Sequence, residues 1–172
     1  MKWLADYKAK LRTADEAVSF IKSGDRVYYG GNAAIPQALV RALAERKAEL
    51  ADVQLNHVLL LGDDPLSDPE MAGHFRHNSL FVGPADRKAV NDGRADYVPI
   101  FLYMIPRLFT DRIVPVDVAM VAVSPPDEHG FMSLGVETLA SKAACNAARH
   151  VIAQVNERMP RVLGDSFLHV RN

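Results

Sequence analysis

The sequence has little cysteine, no long apolar run and no excess of either charge, and each shortage excludes a class of protein. Cys145 is its one cysteine, which excludes an internal disulfide and a cysteine-based zinc site. The most apolar stretch, residues 116–123, is interrupted by Asp117 and is too short to span a bilayer. Lysine and arginine number 20 and aspartate and glutamate 21, a balance that argues against nucleic-acid binding and polybasic membrane binding.

What is present is typical of a globular domain. The 172 residues are 49% hydrophobic and 24% charged, which is enough for a buried core and too apolar for disorder. The N-terminus mixes Lys2, Asp6 and Lys8 with apolar side chains, unlike a signal peptide. We therefore expect a soluble, cytoplasmic protein.

Strand-like and helix-like segments alternate along the chain. A capping box at Thr13 and Glu16 begins one helix, which Gly24 would end, and Pro36 suits the first turn of another. Because the strands are apolar throughout, the sequence predicts one α/β domain over residues 1–172, an open, mostly parallel sheet flanked by helices, with the strand order left open. The predicted strands are 26–29, 53–61, 80–83, 97–101, 116–123 and 151–155, and the later helices 36–50, 87–91 and 138–149.

Two loops of this sheet are candidates for ligand binding. In an open parallel sheet, ligands bind beyond the carboxyl ends of the strands, where loops and helix N-termini gather. Residues 30–35 follow the first strand, and residues 124–135 follow the strand at 116–123. Both loops should therefore lie on the same edge of the sheet.

The first loop begins with Gly30 and Gly31. Without side chains there, main-chain amides could approach a ligand oxygen, such as the oxyanion formed when a thioester carbonyl is attacked. The alternative is a tight strand-to-helix turn that needs glycine for a positive φ. The spacing matches neither the dinucleotide fingerprint nor a phosphate-binding P-loop.

The second loop is long and rich in unusual residues. Two prolines stiffen it, two residues can titrate and two glycines permit close backbone approach, namely Pro125, Pro126, Asp127, His129, Gly130 and Gly135. A loop of about a dozen residues is at the upper end of ordinary connections, which favours a functional role. The alternative is a rigid turn whose polar side chains bond to their own backbone.

Other reactive side chains carry weaker signals. His74 and His77, near Asp68 and Glu70, have a spacing that would place both imidazoles on one helical face, but no third ligand follows, so we expect packing and no metal site. His57 lies in an apolar strand and is interpreted as a core histidine. The alanine-rich surroundings of Cys145 indicate close helix packing, and the sequence has no Gly-x-Ser-x-Gly elbow for a serine hydrolase.

Several motifs together resemble the N-terminal domain of the acetyl-CoA hydrolase/transferase family, and most closely its 4-hydroxybutyrate CoA-transferases. The most specific is Ser-Pro-Pro-Asp-x-His-Gly-Phe-x-Ser-Leu-Gly at residues 124–135. Any one motif alone would be weak, and the resemblance rests on their combination over almost the whole chain. The others lie at residues 23–27, 30–31, 35–36, 77–83 and 93–99.

The resemblance implies an enzyme of two similar α/β domains with acyl-CoA in the cleft between them. Family members transfer CoA by a ping-pong route through a glutamyl-CoA thioester, and the glutamate belongs to the second domain. The apolar residues 162–170 also look like a connection to a further domain. We therefore expect no catalytic residue in this chain and no turnover by it alone, and we interpret Glu128 and Glu137 as solvent-exposed.

Three segments are carried over from the family as binding residues for CoA or acyl-CoA, which is a substrate; no tightly bound cofactor is expected. Gly30, Gly31 and Asn32 would form this domain's side of the acyl and oxyanion pocket, and His77 with Asn78 a weaker third segment. The implied partners are acyl-CoA, a small carboxylic acid, the C-terminal domain and further copies of the enzyme, in acetate metabolism. One wall of the cleft would be formed by Ser124, Pro125, Pro126, Asp127, His129, Gly130 and Phe131.

Three other interpretations remain open from the residues. The chain could be a binding module that holds an acyl or nucleotide ligand without chemistry. It could be a structural domain whose partner chain supplies the catalytic half. It could also belong to an acetyl-CoA hydrolase, because the difference between transfer and hydrolysis depends on water access to the cleft.

Overall fold

The computed structural model describes residues 2–171, whose centre is a parallel β-sheet. The strands are β1 Arg26–Tyr29, β2 Val53–His57, β3 Phe75–Ser79, β4 Asp96–Tyr97, β5 Val118–Val123, β6 Phe131–Ser133, β7 His150–Val155 and β8 Phe167–His169. Six of them pair in the order β4-β3-β2-β1-β5-β7, and every pair is parallel. Strands β6 and β8 form a separate antiparallel pair. This confirms the predicted fold class.

Helices cover both faces of the sheet. They are α1 Lys2–Lys10, α2 Ala14–Val18, α3 Gln37–Glu45, α4 Arg87–Asn91, α5 Ile105–Thr110 and α6 Ser141–Ala147, with short 3₁₀ turns at Arg46–Ala48, Pro65–Ser67, Pro69–Met71 and Leu102–Met104. Helices α2 and α3 contribute to the core on one face, and α5 and α6 to the core on the other. Within residues 2–171 no helix has both the length and the apolarity needed to cross a bilayer.

The predicted helices agree with the structure in position more than in length. The capping box is present, since Thr13 Oγ1 accepts from the Glu16 amide and Glu16 Oε2 accepts from the Thr13 amide. The helix that it begins ends at Val18, well before Gly24. The helices predicted over 36–50 and 138–149 are both shorter, because 3₁₀ turns and irregular segments replace their ends.

Three predicted strands are wrong in place or length, and the one predicted over 53–61 ends at His57 as β2. The strand predicted at 80–83 is the earlier segment β3, whose buried side chains include His77, Asn78 and Ser79. His77 and Asn78 can occupy this interior strand because they bond to His57 and Asn56 of β2, so an apolar pattern does not reveal it. The strand predicted over 97–101 is reduced to β4. By contrast, all six residues of β5 are buried, as its apolar sequence predicts.

The turn after β1 packs closely on β2. A Cβ atom added to Gly31 would lie 1.8 Å from the Val58 carbonyl oxygen, so only glycine fits there. Neither Gly30 nor Gly31 has a positive φ, whereas Asn32 does, at 50°. The positive-φ interpretation of the two glycines is therefore wrong, and at Gly31 the requirement is close backbone approach.

We expect Gly31→Ala to lower the free energy of unfolding by about 2 kcal/mol, because either the turn or β2 must move to admit the methyl group. Thermal unfolding would show a fall in Tm of roughly 4–8 °C. Gly30→Ala is the matched comparison, since its Cβ would meet nothing closer than 3.3 Å. Equal melting temperatures for Gly31→Ala and the unchanged chain would contradict this packing.

Candidate functional site

The two candidate loops leave the same edge of the sheet. Strands β1 and β5 are parallel neighbours, with Tyr29 opposite Met120, so their carboxyl ends lie side by side. The Gly30 amide extends this pairing by donating to the Met120 carbonyl at 2.9 Å. The predicted shared edge is therefore present, with residues 30–35 and Ser124 next to each other along it.

The amides of the first loop divide into bonded and free groups. The Asn32 amide donates to the Leu59 carbonyl at 2.7 Å, and the Ala34 amide donates to the Gly31 carbonyl at 3.0 Å. The amides of Gly31, Ala33 and Ile35 have no acceptor within residues 2–171. Of this turn, these three N–H groups are left to donate to a ligand oxygen, and those of Gly31 and Ala33 follow β1 most closely in sequence.

The second loop is bonded mainly to itself. Asp127 Oδ1 accepts from the amides of His129 and Phe131, both at 2.9 Å, and Asp127 Oδ2 pairs with Arg161 at 2.5 Å. The bond from the Phe131 amide is the main reason why the pKa of Asp127 is lowered, and the His129 amide and Arg161 add to it. This geometry supports the alternative of a rigid turn for Asp127.

The tip of the second loop contacts α1 and β8. Trp3 Nε1 donates to the Glu128 carbonyl at 2.8 Å, and His169 Nε2 lies 3.1 Å from the His129 carbonyl oxygen. Gly130 has a φ of 91°, and its Cα packs against Trp3. The tip is thus occupied with protein contacts, while Pro125 and Pro126 connect it to Ser124 at the sheet edge.

Glu137 is a polar residue of this edge that the sequence analysis misplaced. It was expected to be solvent-exposed but is only 2% exposed, whereas the Glu128 side chain is 78% exposed as expected. Its carboxylate accepts from the Leu139 amide and from the Ser141 hydroxyl, and burial raises its pKa. Because residues 134–140 are irregular, no periodic pattern indicates that this glutamate points inward.

His77 and Asn78 lie inside the sheet with their side chains bonded to protein groups. His77 Nδ1 is 3.0 Å from His57 Nε2, and Asn78 Nδ2 donates to Asn56 Oδ1 at 2.8 Å. The expectation of a shared helical face for His74 and His77 is wrong, because His77 is in β3 and His74 precedes it. Within residues 2–171 no group of three or more His, Cys, Asp or Glu side chains is placed to hold a metal ion.

A row of buried ionisable groups surrounds this histidine pair. Asp64 Oδ2 accepts from the Tyr29 hydroxyl at 2.8 Å and lies 3.6 Å from His77 Nε2, and Asp86 Oδ2 lies 3.7 Å from His57 Nε2. Burial lowers the pKa of His57 far below its usual value, and the neighbouring His77 lowers it further. Burial raises the pKa of Asp64.

The row supports the loops that hold the first turn. Asp86 Oδ1 accepts from the Gly83 amide at 2.8 Å, and Gly83 packs against the Leu60 backbone. Leu60 in turn forms a parallel bridge with Asn32. The side chains of His77 and Asn78 are thus buried among other protein groups. They are linked to the candidate site only indirectly, through the loops that contain Gly83 and Leu60.

A groove of about 1010 Å³ runs along the outer side of β7. Its lining includes Lys10, Phe20, Met132, Ile152 and Leu168 from the surrounding elements. Of the residues predicted to bind acyl-CoA, none lines it. The candidate residues thus lie on the edge of the sheet and outside this groove.

The buried His57 makes stability depend on pH. Below its usual pKa of 6.5 the unfolded chain takes up a proton that the folded chain does not, so stability falls as the pH is lowered. Between pH 7.5 and 5.5 we expect the unchanged chain to lose about 1 kcal/mol more than His57→Gln, measured by urea unfolding. Asp64 has the opposite sign but is common to both proteins. Parallel pH profiles would contradict the neutral buried state of His57.

Comparison with known proteins places these features in a family. Residues 1–172 match the acetyl-CoA hydrolase/transferase N-terminal domain. The chain is 46% identical over 170 residues to 4-hydroxybutyrate coenzyme A transferase of Clostridium kluyveri, covering 99% of this chain and 40% of that protein. It is 39% identical to butyryl-CoA:acetate CoA-transferase of Anaerostipes caccae, covering 95% and 37%.

Solved structures give the same result. RipA from Yersinia pestis superimposes with a TM-score of 0.89 at 34% identity, covering 99% of this chain and 42% of that one. A 4-hydroxybutyrate CoA-transferase from Porphyromonas gingivalis gives 0.79 at 30% identity, covering 98% and 39%. The chain spans about two fifths of the length of these relatives. Since the family domain matches from the first residue to the last, the chain belongs to the acetyl-CoA hydrolase/transferase family, as its N-terminal domain.

Proposed function

We propose that this chain is the N-terminal half of an acyl-CoA:carboxylate CoA-transferase. The observation that carries the proposal is the set of unbonded amides on a sheet edge of a domain from this family, of which we take Gly31 and Ala33, the two that follow β1 most closely, as the donors. Two N–H groups aimed at one oxygen stabilise the charge that develops when a thioester carbonyl is attacked. Ser124, Pro125 and Pro126 would form the adjacent wall of the acyl pocket.

In this proposal the attacking group is a glutamate of the second domain. Its carboxylate oxygen bonds to the thioester carbonyl carbon, the carbon–sulfur bond breaks, and CoA leaves as a thiolate, giving a mixed anhydride. The thiolate then attacks the glutamyl carbonyl and releases the first carboxylate, which leaves glutamyl-CoA. A second carboxylic acid takes the CoA by the reverse steps. Water must be kept out, because it would hydrolyse both intermediates.

The acidic residues near the loops are poorly suited to the nucleophilic role. Both Glu137 oxygens accept hydrogen bonds in a buried position, and Glu128 is exposed at the loop tip beside Trp3. A nucleophile needs a free oxygen lone pair within reach of the carbonyl carbon. These contacts favour a glutamate supplied from outside residues 1–172.

We also propose what covers the rest of this edge. Several large apolar side chains are exposed where β2, β3 and β4 end, among them Phe81, Phe101 and Tyr103, of which the last two are 72% and 79% exposed. Apolar surface of this kind is typical of an interface between domains or subunits. The second domain is the proposed occupant, and the acyl-CoA and a small carboxylic acid would bind between the two domains.

The finer parts of the proposal concern substrate and setting. Acetyl-CoA with 4-hydroxybutyrate is the proposed substrate pair, and acetate metabolism the proposed setting. Relatives whose names include 4-hydroxybutyrate and acetate support both. A cytoplasmic location is also proposed, and the free, buried thiol of Cys145 suits a reducing compartment.

The direct test compares this chain with the full-length protein that carries it. With acetyl-CoA and 4-hydroxybutyrate, we expect transfer by the full-length protein and none by residues 1–172 alone, because the nucleophile lies outside them. Borohydride reduction after acetyl-CoA treatment, followed by mass spectrometry, should locate a modified glutamate beyond Asn172. Turnover by the isolated chain, or a label within it, would overturn the proposal. Hydrolysis without transfer would identify the full-length protein as a hydrolase. Binding of acetyl-CoA without either reaction would identify it as a binding module.

We expect residues 1–172 to self-associate when separated from the second domain, because the apolar edge then faces water. Light scattering after size exclusion should show a mass that rises with concentration. The double variant Phe101→Ser and Tyr103→Ser should shift the chain towards monomer, whereas Ile113→Ser, an exposed apolar residue after α5, serves as the matched control. A monomer at every concentration would count against the proposed interface.

A further inference from the structure

Glu137 connects three parts of the structure next to the Gly30 turn. Its Oε1 accepts from the Leu139 amide at 2.9 Å, and its Oε2 accepts from the Ser141 hydroxyl at the start of α6. Ser141 Oγ lies 3.1 Å from the Tyr28 hydroxyl oxygen. Because the one hydroxyl hydrogen of Ser141 goes to Glu137, Tyr28 is the donor of that bond. A continuous hydrogen-bonded chain thus joins Glu137, Ser141 and β1.

The same groups pack on Gly30. A Cβ added to Gly30 would lie 3.7 Å from Ser141 Oγ and 3.8 Å from Glu137 Oε2. Tyr28 is two residues before this turn, and the Gly30 amide is bonded to Met120 in β5. The turn is therefore held on one side by β5 and on the other by the Glu137–Ser141 pair. Movement of that pair would shift the backbone from which the Gly31 amide projects.

A purely structural role does not explain why a carboxylate occupies this position, because burying a charged group costs free energy. Glu137 is 2% exposed, and within residues 2–171 no cationic side chain forms an ion pair with it. Buried charges without a partner are costly, and a neutral side chain would pack with less penalty. The titratable groups that face it are Tyr28 from β1 and Cys145 from α6. Burial raises the pKa of both, that of Cys145 to about 12, so neither supplies a compensating charge.

We infer that Glu137 is a positioning residue of the proposed acyl pocket: through Ser141 and Tyr28 it holds the Gly30 turn so that the Gly31 and Ala33 amides face the substrate oxygen. This inference rests on the proposed function for its substrate, but the positioning itself concerns only the turn. Glu137 does not attack the thioester, because its carboxylate is buried, with only 2% of the residue exposed, and is out of reach of a substrate carbonyl carbon. A glutamine at this position keeps one of the two acceptor oxygens, and an alanine keeps neither.

The activity test uses full-length protein with acetyl-CoA and 4-hydroxybutyrate. Glu137→Ala should lower kcat by roughly tenfold or more and leave the KM for acetyl-CoA within about twofold, because misplaced amides fail in the transition state and not in substrate binding. Glu137→Gln should retain most of the activity, and Ser141→Ala should fall between them. Glu45→Ala, an exposed glutamate at the end of α3, is the control and should match the unchanged enzyme.

Hydrogen exchange separates this inference from the proposed function. In Glu137→Ala, the bonded amides of Gly30, Asn32 and Ala34 should exchange roughly fivefold faster, while those of β2 and β3 stay unchanged. If the unchanged enzyme fails to transfer CoA, the proposed function falls, and the exchange result still tests the positioning role. Faster exchange throughout the chain would show a general loss of stability and overturn the inference. So would a glutamine variant as impaired as the alanine variant, or an alanine variant with normal kcat.

Discussion

Gly31 packs against the Val58 carbonyl, so the segments that follow β1 and β2 meet at the edge where we propose that a ligand binds, and much of that edge depends on this contact. Only glycine fits at this position. The Asn32 amide is bonded to the Leu59 carbonyl, and within residues 2–171 the Gly31 and Ala33 amides have no acceptors. A looser turn could satisfy its amides internally or with water, and the edge would then present no preorganised donors. The functional interpretation therefore begins with a steric constraint on one glycine.

The alternation of a parallel strand explains why this turn is supported from both faces. Tyr28 and Tyr29 are successive buried residues of β1 and point to opposite faces. Tyr29 donates to Asp64 and joins the row of buried histidines and aspartates, and Tyr28 joins Ser141 and Glu137. Each tyrosine hydroxyl thus ties the same strand to a separate polar group. Polar interior groups of this kind stabilise a site only when their partners are all in place.

The parts of the fold that depend on apolar pattern were predictable, and the parts that depend on polar partners were not. The uniform hydrophobicity of β5 indicates a central strand because both of its faces are buried. The strand β3 has a polar sequence, and its place follows only from the partners of His77 and Asn78 in β2. Glu137 was misplaced for the same reason, since its burial depends on Ser141 and on a residue more than a hundred positions away. In the second loop, motif similarity singled out Asp127 as a binding residue, whereas the alternative of a rigid turn described how its carboxylate bonds to its own loop.

The open side of β7 has a consequence for how this sheet can grow. The strand lies at the end of the six-stranded order, and its sequence from His150 to Val155 contains neither lysine nor proline, the residues that commonly block an exposed edge. Its outward backbone groups form a template on which one more strand can align, with a broad groove beside it to accept the side chains. Because β7 is separated from β1 by β5, such an addition would enlarge the scaffold without altering the geometry of the Gly30 turn.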